Sequence, residues 1–208
     1  RNPDWEVAPV GVRGPRMARV IRTNRRHLLQ AGLFGMSSMT AREGRMVLLP
    51  LVGVALELRP ATIGVLVASG YAADLLLFPV SGAIMDRVGR LAAMVPAYGL
   101  LAVGLLSLMA ADSATGVLLA GLVMGLGNGL SSGSLFTLSS DLAPEEGTAS
   151  FLSAVSMLTD IGRVVGPLLV GLAAGRWGLD AAAAALAVAM VLGLLWLVFL
   201  VGEPGERD

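Results

Sequence analysis

Six ionisable side chains fall inside stretches that are otherwise apolar: Arg42, Glu43 and Arg45, then Asp74, then Asp160 with Arg163. A charge at the centre of a bilayer costs a few kcal/mol on insertion scales, so such residues face a protein interior or a water-filled path and pair with one another. Arg42 and Arg45, three apart, share one face of a helix, as do Asp160 and Arg163, whereas Glu43 points elsewhere. Two chemistries fit this set. The charges can fasten helices together, Asp160 to Arg163 and Arg42 or Arg45 to Asp74 or Glu43. Alternatively, one carboxylate can take up and release a proton as the protein switches conformation, with Asp74 and Asp160 as the leading candidates and Glu43, flanked by two arginines, the weaker one.

Other chemistry has little to stand on. Cysteine is absent and His27 is the single histidine, so thiolate and histidine-cluster metal sites are not expected, and no cofactor is expected either. Ser139, Ser140 and Asp141 are adjacent, but without lysine or a second histidine they form no convincing triad or dyad, and the chain does not read as an enzyme. No G-x-x-x-x-G-K-[ST] phosphate loop appears, so ATP is not the expected energy source.

The elements that must position these residues follow from hydropathy. Hydrophobic residues make up 55% of the 208, and the mean hydropathy of +0.77 places the chain in a bilayer. Crossing the hydrocarbon takes roughly 20 apolar residues per helix. Six runs are that long: Leu28–Leu56, Ile63–Ser81, Leu91–Ala110, Thr115–Leu138, Thr148–Ala174 and Ala181–Val201. Runs such as Ala181 to Ala185 lack the alternation of barrel strands, so the expected fold is all-α with six transmembrane helices. Short connections, Glu57–Thr62, Ala111–Ala114 and Gly175–Asp180 among them, make sequential helices antiparallel neighbours.

This gives three expected regions: a basic linker over 1–27, a six-helix bundle over 28–201 and a tail over 202–208. Within the linker, Met17, Val20, Ile21 and Leu28 recur at helical spacing among Arg16, Arg19, Arg22, Arg25 and Arg26, predicting an amphipathic helix lying on the lipid surface. Arginines gather before the first span and at Arg87 and Arg90, against only Arg59 and Arg176 opposite. Both termini are therefore expected in the cytoplasm and the protein in the plasma membrane. The acids Asp141, Glu145 and Glu146 break that trend but suit the start of a helix near Thr148. The bilayer is the one partner that composition implies; nucleic acid is not expected.

Glycines mark close approach. Gly121, Gly125, Gly129 and Gly133 recur every four residues in the fourth span, with Gly127 and Asn128 beside them, predicting a stripe on which another helix packs. Gly162, Gly166, Pro167 and Gly171 predict close packing with a kink, and the bend can equally serve as a hinge. Between the second and third spans, Gly82, Asp86, Arg87, Gly89 and Arg90 predict a tight turn at the bilayer surface, with glycine at each end and the charges locking helix ends.

That last segment, Gly82 to Arg90, resembles the G-x-x-x-D-R-x-G-R loop signature of the major facilitator superfamily. Asp141-Leu142-Ala143-Pro144-Glu145 and the helix Gly162 to Gly171, similar to that family's G-x-x-x-G-P-x-x-x-G pattern, extend the resemblance from about Arg25 onward. The intramembrane Arg42 is similar to an arginine of some members. The leader resembles the family's central linker, and the chain starts at Arg1 rather than Met, so the resemblance is to the carboxyl-terminal six-helix half of a longer transporter. It implies a gradient-driven transporter of small solutes, closest to the drug:proton antiporters. It also implies a partner: the missing amino-terminal half, or a second copy in parallel. Asp86, Arg87 and Arg90 would then act as a gate latch across the halves. A non-transporting scaffold or a degenerate fragment is the alternative.

Overall fold

The computed structural model describes residues 17–202. Most of the expected linker and nearly all of the expected tail lie outside the described residues. Eight α-helices follow in order: α1 (Met17–Thr23), α2 (Arg25–Ala55), α3 (Pro60–Val88), α4 (Arg90–Ser107), α5 (Ala114–Leu130), α6 (Ser134–Asp141), α7 (Thr148–Trp177) and α8 (Leu179–Trp196). A 3-10 turn, Leu108–Ala110, extends α4, and a π turn, Leu197–Val201, extends α8. Five segments are long and apolar enough to cross a membrane: Pro60–Met85, Arg90–Ala110, Ala114–Asp141, Thr148–Trp177 and Leu179–Val201. The helix over the first expected span, α2, is 31 residues long but carries Arg42, Glu43 and Arg45 near its middle, which keeps it out of that set.

The bundle is built from two triplets. Helix α2 packs along α7 and α8, while α5 packs along α3 and α4; contacts of α4 with α8, and of α2 with α3 and α5, join them. Lipid tails are as apolar as leucine, so close packing rather than burial from water must hold such helices together. The glycines show how. A Cβ on Gly166 would lie 2.5 Å from the Thr40 carbonyl oxygen and 2.8 Å from the Gly44 nitrogen, and one on Gly162 would strike the Met36 carbonyl, so α7 rests directly on the α2 backbone. On the other seam Gly125 and Gly129 face the carbonyls of Gly70 and Asp74 in α3.

Several expectations are corrected here. Of the Gly121-to-Gly133 stripe, Gly121, Gly125 and Gly129 do share the face toward α3, but Gly133, with φ of 77°, stands at the N-terminal end of α6, and Gly127 beside the stripe turns toward Ala97 and Leu101 of α4. The fourth expected span is therefore two helices, broken at Ser131–Gly133, because a left-handed residue cannot continue an α-helix. A Cβ added to Gly171 would meet nothing within 4 Å, so this glycine packs against no helix. The predicted turn Gly82 to Arg90 shrinks to one residue. Helix α3 runs through Val88, Gly82 sits within it with open space around it, and Gly89, at φ of 93°, alone reverses the chain. Gly178, at φ of 92°, does the same between α7 and α8 and replaces the expected connection Gly175–Asp180.

The leader forms a helix, α1, where one was expected. Asn24 interrupts the helix only briefly, and Val20 joins Leu28 and Ala31 of α2 in a small core with Phe151, Ala154 and Val155 of α7. Val20 and Ile21 of its apolar edge thus pack on protein while Met17 stays exposed, and α2 begins at Arg25, three residues before the expected boundary of the bundle.

Candidate functional site

Helix α2 brings its two arginines to the seam between the triplets, where Arg45 is buried at 7% exposure. Its Nη2 lies 3.7 Å from Oδ2 of Asp74 on α3, and the same oxygen accepts a hydrogen bond from Nδ2 of Asn128 on α5. One carboxylate thus ties three helices together. One turn away, Arg42 reaches the break between α5 and α6: its Nη2 donates to Oγ of Ser131 and, at 3.4 Å, to the Ser131 carbonyl. A cation there meets the negative end of the α5 dipole and a carbonyl that also accepts from the N–H and Oγ of Ser134. The guanidinium also lies over Tyr98, with Cζ 5.5 Å from the ring centroid, and Nη2 is 3.5 Å from the phenol oxygen. The buried Nε of Arg42 finds no acceptor among the described residues.

Hydroxyls complete the constellation. Tyr98, 1% exposed, is 3.1 Å from Oγ of Ser134 and meets Phe34 edge to face at 4.9 Å between centroids. From α3, Oγ of Ser81 donates to the carbonyls of Leu130 and Ser132 at 2.7 and 2.8 Å. Helices α2, α3 and α4 therefore all send polar groups to the α5–α6 break. Burying this many polar atoms is tolerable because nearly every one has a partner.

The six charges sort unevenly. Arg45 pairs with Asp74. Asp160 and Arg163 pair with each other at 3.3 Å, but on the open face of α7, where their side chains are 58% and 57% exposed. They belong to the rim of a cleft of about 550 Å³, open mouth included, with Met39 of α2, Ser139 of α6 and Thr159 of α7. Glu43 makes no hydrogen bond or ion pair among the described residues and shares a helix face with Met39 and Met46. A second cleft, about 320 Å³, opens beside Arg45 between Met46 and Pro50 of α2, Tyr71 of α3 and Gly121 of α5. The expected pairings of Arg45 with Asp74 and of Asp160 with Arg163 are thus present, whereas Arg42 pairs with no acid. Ser131, Ser134 and Ser81 carry no signal in the sequence; a hydroxyl in an apolar span is ordinary, and only the helix break gives these and Tyr98 a common target.

At the Gly89 turn, Arg90 holds Asp141 at the end of α6 with Nε–Oδ2 of 2.8 Å and Nη2–Oδ1 of 3.3 Å. Arg87 is exposed, and the side chain of Asp86 lies outside the described residues. The Arg90–Asp141 pair is about a third exposed, and water screens such pairs. Asp141→Asn is expected to lower stability by no more than about 1 kcal/mol, read from thermal unfolding in detergent.

Helical spans, a buried interhelical ion pair and a single-glycine reversal describe a membrane bundle but do not name it. Residues 31–208 match the family model of the Major Facilitator Superfamily. The chain belongs to that superfamily. No curated protein matches it. The match begins inside α2 and covers every helix from there on, so the constellation around Arg45 and the α5–α6 break lies wholly within the superfamily region. Membership makes this a multi-pass membrane protein of a transporter superfamily.

Proposed function

We propose that this protein moves a small solute by alternating access, driven by a proton gradient, with α2 crossing the membrane as a sixth span of one superfamily half. The observation that carries the coupling is the single oxygen of Asp74 shared by Arg45 and Asn128. Protonating that carboxylate would remove the charge that holds Arg45 and weaken the hydrogen bond from Asn128, loosening α2 from α3. Such a link between a titration and a helix rearrangement is what coupling requires. Asp160, already exposed beside Arg163, has no comparable hold on neighbouring helices and serves as the comparison.

Exposed apolar faces on α3 and α7, against which a second bundle could pack, support the half-transporter reading. Only 17% of the α3 span is buried, against 50% for α4. Leu75, Leu76 and Phe78 of α3, with Met157, Val164 and Leu168 of α7, remain exposed. In this proposal the other half, in the same orientation, closes the two clefts into a cavity, both termini are cytoplasmic and the membrane is the plasma membrane. The drug:proton antiporter branch remains the closest in type.

The test uses proteoliposomes of the protein expressed from its full-length gene. Asp74→Asn is expected to abolish uptake driven by a pH gradient while retaining solute exchange without a gradient; Asp160→Asn is expected to keep both. Gradient-driven uptake that survives Asp74→Asn would overturn coupling at this residue. Loss of exchange as well, with normal insertion, would make Asp74 structural.

A further inference from the structure

Between Met17 and Arg42 the chain contains no acid, yet Arg19, Arg22, Arg25 and Arg26 are all exposed, with His27 beside them. None of these arginines has a carboxylate within 4.0 Å among the described residues. Helix α1, which presents Arg19 and Arg22, is held in place because Val20 is 4% exposed against the start of α7, and Arg25 and Arg26 open α2. With Val20 held by α7, the exposed surface of α1 and the start of α2 is mainly basic, with Met17 the exposed large apolar residue of α1. From these observations we infer that Arg22, Arg25 and Arg26 form a collar that binds the headgroups of anionic phospholipids at this end of the bundle.

Depth decides the partner. On the proposed reading in which α2 crosses the membrane, Leu28, the first residue of the apolar run, sets the edge of the hydrocarbon. At 1.5 Å per residue Arg26 and Arg25 lie about 3 and 5 Å outside it, inside a headgroup layer that is itself about 5–8 Å thick. Arg22 is no more than about 9 Å away, within reach of its long side chain, and Arg19 no more than about 14 Å. A soluble acidic partner would have to enter the headgroup layer to meet Arg25 and Arg26, whereas lipid phosphates already lie there. Arginine also suits phosphate because its planar fork makes two parallel hydrogen bonds. At this end Arg87 is also exposed, whereas Arg90 is taken up by Asp141 and the acids Glu145 and Glu146 stand just before α7; the opposite end holds Arg59 and Arg176. Anionic lipids of the cytoplasmic leaflet are attracted to such juxtamembrane clusters.

The inference does not depend on transport and is tested without it. Delipidated full-length protein in neutral detergent is titrated with phosphatidylglycerol or phosphatidylcholine and bound lipids are counted by native mass spectrometry. Phosphatidylglycerol should bind more tightly, and the triple variant R22Q/R25Q/R26Q should lose at least about tenfold of that preference while keeping its helical circular dichroism. Arg19→Gln alone should lose less than about twofold, and R59Q/R176Q should behave as wild type. An unchanged preference in the triple variant overturns the inference. So does an equal loss in R59Q/R176Q, which would mean net charge rather than a site, and so does displacement of the lipid by inorganic phosphate, which would make the ligand a free anion.

Discussion

Arg45→Met is expected to lower stability by about 3 kcal/mol, roughly a hundredfold in the unfolding equilibrium, and the double variant R45M/D74L is expected to recover most of that loss. Arg45 and Asp74 have side chains only 9% and 17% exposed, so removing the cation leaves a carboxylate in a poorly solvated seam with Asn128 as its sole remaining partner. Removing both charges takes away the attraction and the desolvation penalty together, which is why apolar replacement of a buried pair is close to neutral. Denaturant or thermal unfolding in detergent of the two single variants and the double variant gives the coupling energy. A double variant as unstable as the sum of the singles would mean that the two residues do not act as a pair. The same cycle at Asp160 and Arg163 should return a coupling below about 1 kcal/mol, since both side chains are more than half exposed.

Gly125→Val is the second large effect, expected to cost about 3 kcal/mol or to prevent assembly, while Gly171→Val should stay within about 0.5 kcal/mol of wild type. A Cβ on Gly125 would fall on the carbonyl oxygen of Gly70, a backbone atom that cannot swing aside, so α3 and α5 must separate along their whole seam. That separation would also pull Asn128 from Asp74, one turn further along α5. A Cβ on Gly171 meets nothing within 4 Å. Both glycines stand in glycine-rich stretches of long apolar helices, so the comparison isolates contact from composition. Equal melting temperatures for the two variants would show that α3 and α5 do not meet backbone to backbone at Gly125.

The class of the protein and its parts were legible in the chain alone. Long apolar runs leave the backbone no solution but helices in a bilayer, so helices lie over all six expected runs, and the superfamily resemblance seen from Gly82 to Arg90 holds for residues 31–208. Legible too was which charges share a face, because helical spacing is local: Arg42 with Arg45, Asp160 with Arg163. Spacing along one helix says nothing about what a neighbouring helix presents, and on that point packing in three dimensions was decisive. Asp74 and Asp160 are equivalent as carboxylates in apolar runs, but one is clamped by α2 and α5 and the other sits at an open rim. Gly125, Gly133 and Gly171 are equivalent as glycines, but one touches a carbonyl, one ends a helix and one touches nothing. The break at Ser131–Gly133 falls inside an apolar run that hydropathy reads as continuous, since a break is set by backbone dihedrals and by the Arg42, Ser81 and Tyr98 groups that three other helices bring to it. Local physics wrote the helices; only their packing chose which charge, hydroxyl or glycine has a partner.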